Sequence, residues 1–267
     1  MLPTMLTTAS LVLGCLAVGG LFDRAEEWGM TASIYILGAA VLDALDGFVA
    51  RLTNSVSFFG MEYDSLADLV SFGVAPAWLA YVYAMKPLGF LGLAAATWYV
   101  TAAAWRLARF NMTAAEQPKG FRGLPSPMAA GTVASFVILA ETIIRRPLDM
   151  GLSEVGGEGL PSFVALGMAF LGWLMISDTP YLSLKGLNMA RPRPVRMALT
   201  VVVFLFAIWA MPQLLFGIAM LYIGLGLALR VLTRVRWAEV AAPALVAWAE
   251  QMTTPKTGAV KPERAHK

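Results

Sequence analysis

Apolar positions along this chain fall in long unbroken blocks, without the alternation of a half-buried strand or the narrow stripe of a surface helix. A bilayer core takes about 20 apolar residues per helix, and by that measure eight spans are predicted, at about 6–22, 29–50, 61–84, 88–107, 124–144, 161–177, 196–211 and 213–231. The joint between the last two, "AMPQLL", is short enough to predict a tight helical hairpin. The pattern predicts an all-α fold, a polytopic membrane helix bundle without internal repeats. Its second and third blocks are the least apolar, because they contain Asp43, Asp46, Asp64 and Asp68.

Charge gives the bundle a direction. Cytoplasmic loops are enriched in Lys and Arg, and threading eight spans with both termini on one side puts sixteen basic residues on that side against four on the other. Both termini and the loop after Arg51 are therefore expected in the cytoplasm, which suits a bacterial inner membrane. Composition agrees: 58% of residues are hydrophobic and 14% charged, outside the range of soluble domains. A net charge of +3, with the basic residues beside apolar spans, points to lipid head groups and phosphate-bearing substrates and away from nucleic acid. The single cysteine, Cys15, has no intrachain partner, and the single histidine, His266, lies in a polar tail, so neither is expected to carry chemistry. The segment "MLPTMLTTASLVLG" lacks the positive n-region of a cleavable signal and is read as retained. Residues 1–235 form the transmembrane domain on this reading, and 236–267 a cytoplasmic tail, partly disordered.

Four intramembrane carboxylates require a reason. Each costs roughly 2.5–3.5 kcal/mol at the centre of a lipid-facing helix, so they must face a protein-lined cavity. Asp43 and Asp46 are spaced i,i+3 and Asp64 and Asp68 i,i+4, so each pair occupies one helix face. Two facing helices would then gather four like charges, and hard divalent cations such as Mg²⁺ or Mn²⁺ are the natural counter-charge. Two such ions would suit a site that clamps phosphates during in-line displacement. An ion-transport pathway is the rival use of the same carboxylates. Gly47, Ala50 and Gly60, which clear bulk beside the aspartates, and Arg51, one turn past Asp46, favour a site for a bulky phosphorylated ligand.

The whole string, D-x2-D-G-x2-A-R-x8-G-x3-D-x3-D from Asp43 to Asp68 (residues 40–72 with its flanks), matches the signature of the CDP-alcohol phosphatidyltransferases, and the chain resembles that family. The resemblance implies a helical membrane enzyme that moves a phosphatidyl or similar group from a CDP-linked lipid to an alcohol, releasing CMP. It implies that Asp43, Asp46 and Asp64 hold two divalent ions, with Asp64 bridging, and that Asp68 completes the site and acts as general base. It also implies that Gly47, Ala50, Arg51 and Gly60 lie along the cytidine diphosphate, and that the protein is a homodimer. The family's amino-terminal "PN-x2-T" appears as "PTMLT", with Thr4 in place of the usual Asn and Thr7 kept for the nucleotide.

Two further stretches resemble phosphatidylserine synthases within that family: "RLARFNMTAAEQPKGFRGLPSPMAAG", residues 106–131, and "SDTPYLSLK", residues 177–185. The substrates implied are CDP-diacylglycerol and L-serine. Serine presents a carboxylate and an ammonium, so its pocket needs a fixed cation and acceptors. Arg106, Arg109, Asn111 and Lys185 are the candidates, with Arg109 favoured for the carboxylate. Glycerol 3-phosphate or an inositol phosphate is the alternative acceptor, and would need a denser basic pocket.

Overall fold

The computed structural model describes residues 2–23, 27–53, 57–113, 121–142, 159–181 and 214–231. Among the described residues seven helices are present: α1 (Leu2–Asp23), α2 (Gly29–Leu52), α3 (Phe58–Leu88), α4 (Phe90–Thr113), α5 (Ser126–Ala140), α6 (Leu160–Ile176) and α7 (Leu214–Val231). Seven of the eight expected spans coincide with these helices, and the eighth, 196–211, lies outside the described residues. Four helices, α1, α2, α3 and α7, are long and apolar enough to cross a membrane, while α5 and α6 are shorter apolar helices. The chain divides into two units, Met1–Leu227 and Ala228–Lys267, and of the second only Ala228–Val231, the end of α7, is described.

Local chemistry sets the helix ends. Ser57 caps α3, its hydroxyl accepting from the Gly60 N–H at 3.0 Å. Prolines stand in the first turns of α5 and α6, where a missing N–H costs nothing. Gly89, at φ 56°, turns α3 into α4 in a conformation that a side chain would oppose. Hydroxyls inside the bundle turn back on their own helices: Ser33 donates to the Gly29 carbonyl at 2.8 Å and Thr132 to the Met128 carbonyl at 2.9 Å. Such back-bonding satisfies a polar side chain where no water is at hand.

Helix α3 is not uniform. An α-helical segment, Phe58–Asp68, passes into a π-helical turn, Leu69–Val74, then back to α-helix at Ala75–Ala80, a second π turn at Tyr81–Met85 and a 3-10 turn at Lys86–Leu88. These wide turns surround Pro76, which cannot donate within the ladder. Among the described residues the elements are otherwise helical, as expected, except for one short antiparallel pairing, Phe121 with Tyr181 and Arg122 with Pro180. The expectation of helices alone passed over it because a two-residue pairing has no periodicity to read. It pairs backbone groups of two connecting segments.

Two cores meet at α3. One packs Ala17, Leu21, Ile36 and Leu37 of α1 and α2 against Phe72 and Leu79. The other packs Ala77 and Ala80 against Tyr99 and Ala103 of α4 and Met168 and Leu174 of α6. Alanine recurs at these interfaces, as expected where helices associate by close backbone approach and lipid removes the hydrophobic drive between them. One close approach lies between α1 and the first π turn: a Cβ on Gly14 would stand 2.9 Å from the Ser71 Cα, and Ser71 donates to the Ser10 carbonyl at 3.1 Å. Gly14→Ala is therefore expected to cost about 1–3 kcal/mol through overpacking against backbone. A lowered unfolding temperature in detergent, set against Gly19→Ala, where a Cβ meets nothing within 4 Å, checks this.

Candidate active site

The i,i+3 and i,i+4 spacings do what helical geometry requires. On α2 and α3, Asp43, Asp64 and Asp68 each bring a carboxylate oxygen to within 4.8 Å of the other two. Asp46 is 5% exposed and accepts a hydrogen bond from the Thr7 hydroxyl of α1 at 2.7 Å, while acting electrostatically on Asp43 and Asp64. Three helices thus contribute to one acidic locus. Thr7, expected beside the nucleotide, is the residue that holds Asp46.

The donor set fits a hard cation. Asp64 Oδ1 is buried and has no hydrogen-bond partner among the described residues, a costly state for a carboxylate oxygen unless a cation meets it. Oxygen donors in this number and proximity suit Mg²⁺ or Mn²⁺.

The second motif builds the wall beside this cluster. Arg106 of α4 is 8% exposed, donates to the Ser126 hydroxyl at the start of α5 at 2.6 Å, and acts electrostatically on Asp68 and Asp43. Its guanidinium also stands 6.0 Å from the Phe110 ring centroid. Arg109 is engaged elsewhere. It donates to the carbonyls of Ile176 at 2.7 Å, Met175 at 3.3 Å and Ser177 at 3.5 Å, and pairs with Asp178 at 3.5 Å. That arrangement closes the carboxyl end of α6, where a cation is favoured by the helix dipole and by orphan carbonyls. Asn111 donates to the Ser65 hydroxyl of α3 at 2.9 Å.

The same knot contains Gly123. Its φ is 81°, its N–H donates to the Thr179 carbonyl at 3.0 Å, and a Cβ there would lie 2.4 Å from the Met175 oxygen and 2.9 Å from Arg109 Nη2. The Gly-Leu-Pro-Ser-Pro turn, the Ser-Asp-Thr-Pro-Tyr segment and the end of α4 are thereby tied into one unit. Of the remaining candidates, Gly47, Ala50 and Arg51 lie in the last turns of α2 and Gly60 in the first turn of α3, at the end of the helix pair near Asp46 and Asp64. Lys185 lies outside the described residues. The roles of Ser126, Ser65 and the α6 carbonyls carry no sequence signal, because each is defined by a partner far along the chain.

The chain belongs to the CDP-alcohol phosphatidyltransferases, whose family model matches residues 1–173. It is similar to the CDP-diacylglycerol–serine O-phosphatidyltransferase of Helicobacter pylori, 34% identical over 211 residues that cover 79% of this chain and 82% of the relative. The enzyme of the same name from Bacillus subtilis is 34% identical over 180 residues, covering 67% of this chain and 89% of the relative. The archaetidylserine synthase of Methanothermobacter thermautotrophicus is 41% identical over 109 residues, covering 40% of this chain and 46% of the relative.

Gly123→Ala is expected to destabilise the protein by about 1–3 kcal/mol, since it combines a strained φ with a contact against backbone oxygen. Thermal unfolding of the purified variant in detergent checks the value, and Arg109→Ala should lower stability in the same sense by freeing the same helix end.

Proposed function

We propose that the protein transfers the phosphatidyl group of CDP-diacylglycerol to L-serine, giving phosphatidylserine and CMP. The observation that carries the reading is the convergence of Asp43, Asp64 and Asp68 in a member of this family. The names of its relatives in Helicobacter and Bacillus, which the chain matches over most of their length, support serine as the acceptor. Two divalent ions held by the four aspartates would neutralise the diphosphate and the charge that develops on departing CMP.

Asp68 is the general base in this reading. It takes the proton of the serine hydroxyl as the oxygen attacks the phosphorus that carries diacylglycerol, and the bond from that phosphorus to the CMP oxygen breaks. Asp46, held by Thr7, adds negative charge to the locus without a donor of its own to spend. Gly47, Ala50, Arg51 and Gly60 would lie along the cytidine diphosphate. For the serine carboxylate, Arg106 is the better-placed cation, since Arg109 is committed to the end of α6 and Arg106 stands among the charges of Asp68 and Asp43. Asn111 and Lys185 complete the proposed pocket.

Around the site we infer eight spans with both termini in the cytoplasm of a bacterial inner membrane, a catalytic domain over residues 1–235, a cytoplasmic tail over 236–267, and a homodimer. The basic asymmetry of the loops supports the orientation. The active site then faces the compartment that supplies serine and the CDP-lipid head group.

The test is CMP release by purified protein with CDP-diacylglycerol, Mn²⁺ or Mg²⁺, and serine, glycerol 3-phosphate or inositol phosphate added singly. Release that depends on serine is expected; release with another acceptor removes the serine assignment, and metal flux without CMP release would revive transport. EDTA should abolish turnover and added Mn²⁺ restore it. Asp68→Asn should lower kcat by at least about 10²-fold, the usual contribution of a general base, with CDP-lipid binding retained.

A further inference from the structure

The carbonyl of Phe72 occupies an unusual position. Four residues on stands Pro76, which has no N–H, so the α-helical donor that this carbonyl would receive does not exist. The hydroxyl of Tyr99, from α4, donates to it at 3.3 Å, and Tyr99 is fully buried. Phe72 lies in the π turn Leu69–Val74, which begins at the residue after Asp68.

A π turn adds a residue to the helical circuit, and each residue of an α-helix turns the chain by about 100°. The segment that presents Asp64 and Asp68 is thus rotated by about 100° from where an uninterrupted helix, continuous with Ala75–Ala80, would aim it. In the present register both carboxylates meet Asp43. With the extra residue absorbed they would turn off that line. The π turn is held from two sides, by Ser71 and Gly14 against α1 and by Tyr99 and Ala103 against α4, where a Cβ on Gly73 would lie 3.4 Å from Ala103. Arg106 follows Tyr99 by seven residues, on the same face of α4. One face of α4 therefore sets the backbone behind Asp68 and brings a cation toward its carboxylate.

We infer that Tyr99 is a positioning residue for the aspartate site: its hydroxyl holds the π turn that rotates Asp64 and Asp68 into register with Asp43. The inference rests on the metal reading proposed above.

The experiment is a direct Mn²⁺ titration of purified full-length protein by electron paramagnetic resonance, alongside thermal unfolding and serine-dependent CMP release. Tyr99→Phe is expected to weaken Mn²⁺ binding by about tenfold and to lower kcat, with the KM for serine unchanged. Val137→Ala, which truncates a buried core residue remote in sequence from the turn, should lower the unfolding temperature and leave Mn²⁺ affinity alone. The double variant Tyr99→Phe with Pro76→Ala provides the Phe72 carbonyl with an N–H from its own helix and releases the tether. It should unfold near the wild-type temperature and still bind Mn²⁺ weakly, a split that a purely structural tyrosine would not produce. Wild-type Mn²⁺ affinity in either tyrosine variant overturns the inference, as does an equal loss in Val137→Ala. Failure of the wild-type protein itself to bind Mn²⁺ overturns the metal reading and this inference with it.

Discussion

Mutual repulsion among carboxylates in an apolar bundle is the constraint around which the rest of this molecule is arranged. Asp43, Asp64 and Asp68 approach within 4.8 Å, and Asp46 adds its charge from one turn away. Low-dielectric surroundings magnify that repulsion, so the locus persists only where packing forces it or a cation relieves it. Thr7 takes up one oxygen of Asp46, Arg106 brings a buried positive charge toward Asp68, and Asp64 Oδ1 is left without a hydrogen-bond partner among the described residues. The unmet demand is for a hard cation, the need of an enzyme that handles a diphosphate.

Packing does the forcing through α3, which carries two of the aspartates and borders both cores. Its π turns let it present one direction at Asp64 and Asp68 and another at Ala75–Ala80, so a single span serves the polar site and the apolar interior together. The arginines of the second motif divide their labour. Arg109 closes the end of α6 and fixes the strand-like segments around Gly123, while Arg106 reaches from the same helix toward the acidic cluster. A motif that looks from its composition like a cationic pocket is thus partly a structural clamp.

Much of this was legible in advance. Seven of the predicted apolar segments fall on described helices, four of them long and apolar enough to cross a membrane, because long apolar blocks leave the backbone little alternative to helix. The pairing of aspartates on helix faces follows from 3.6 residues per turn, and the family string was complete from Asp43 to Asp68. Arg106 and Arg109 were both nominated from sequence, with Arg109 favoured, although both are cations at the same end of one helix and only their distant partners distinguish them.

By itself the sequence determined that this is an apolar helical chain of the CDP-alcohol phosphatidyltransferase family, and that its aspartates fall in pairs on helix faces, because those properties depend on composition, periodicity and near-neighbour spacing. Only the tertiary structure decided that Thr7 serves Asp46, that Arg109 serves α6, and that Tyr99 meets the Phe72 carbonyl four residues before Pro76. Each of these joins residues separated by 27 to 67 positions. No local pattern encodes such pairs, since their geometry arises only when helices pack and buried polar atoms must find donors and acceptors wherever the bundle supplies them.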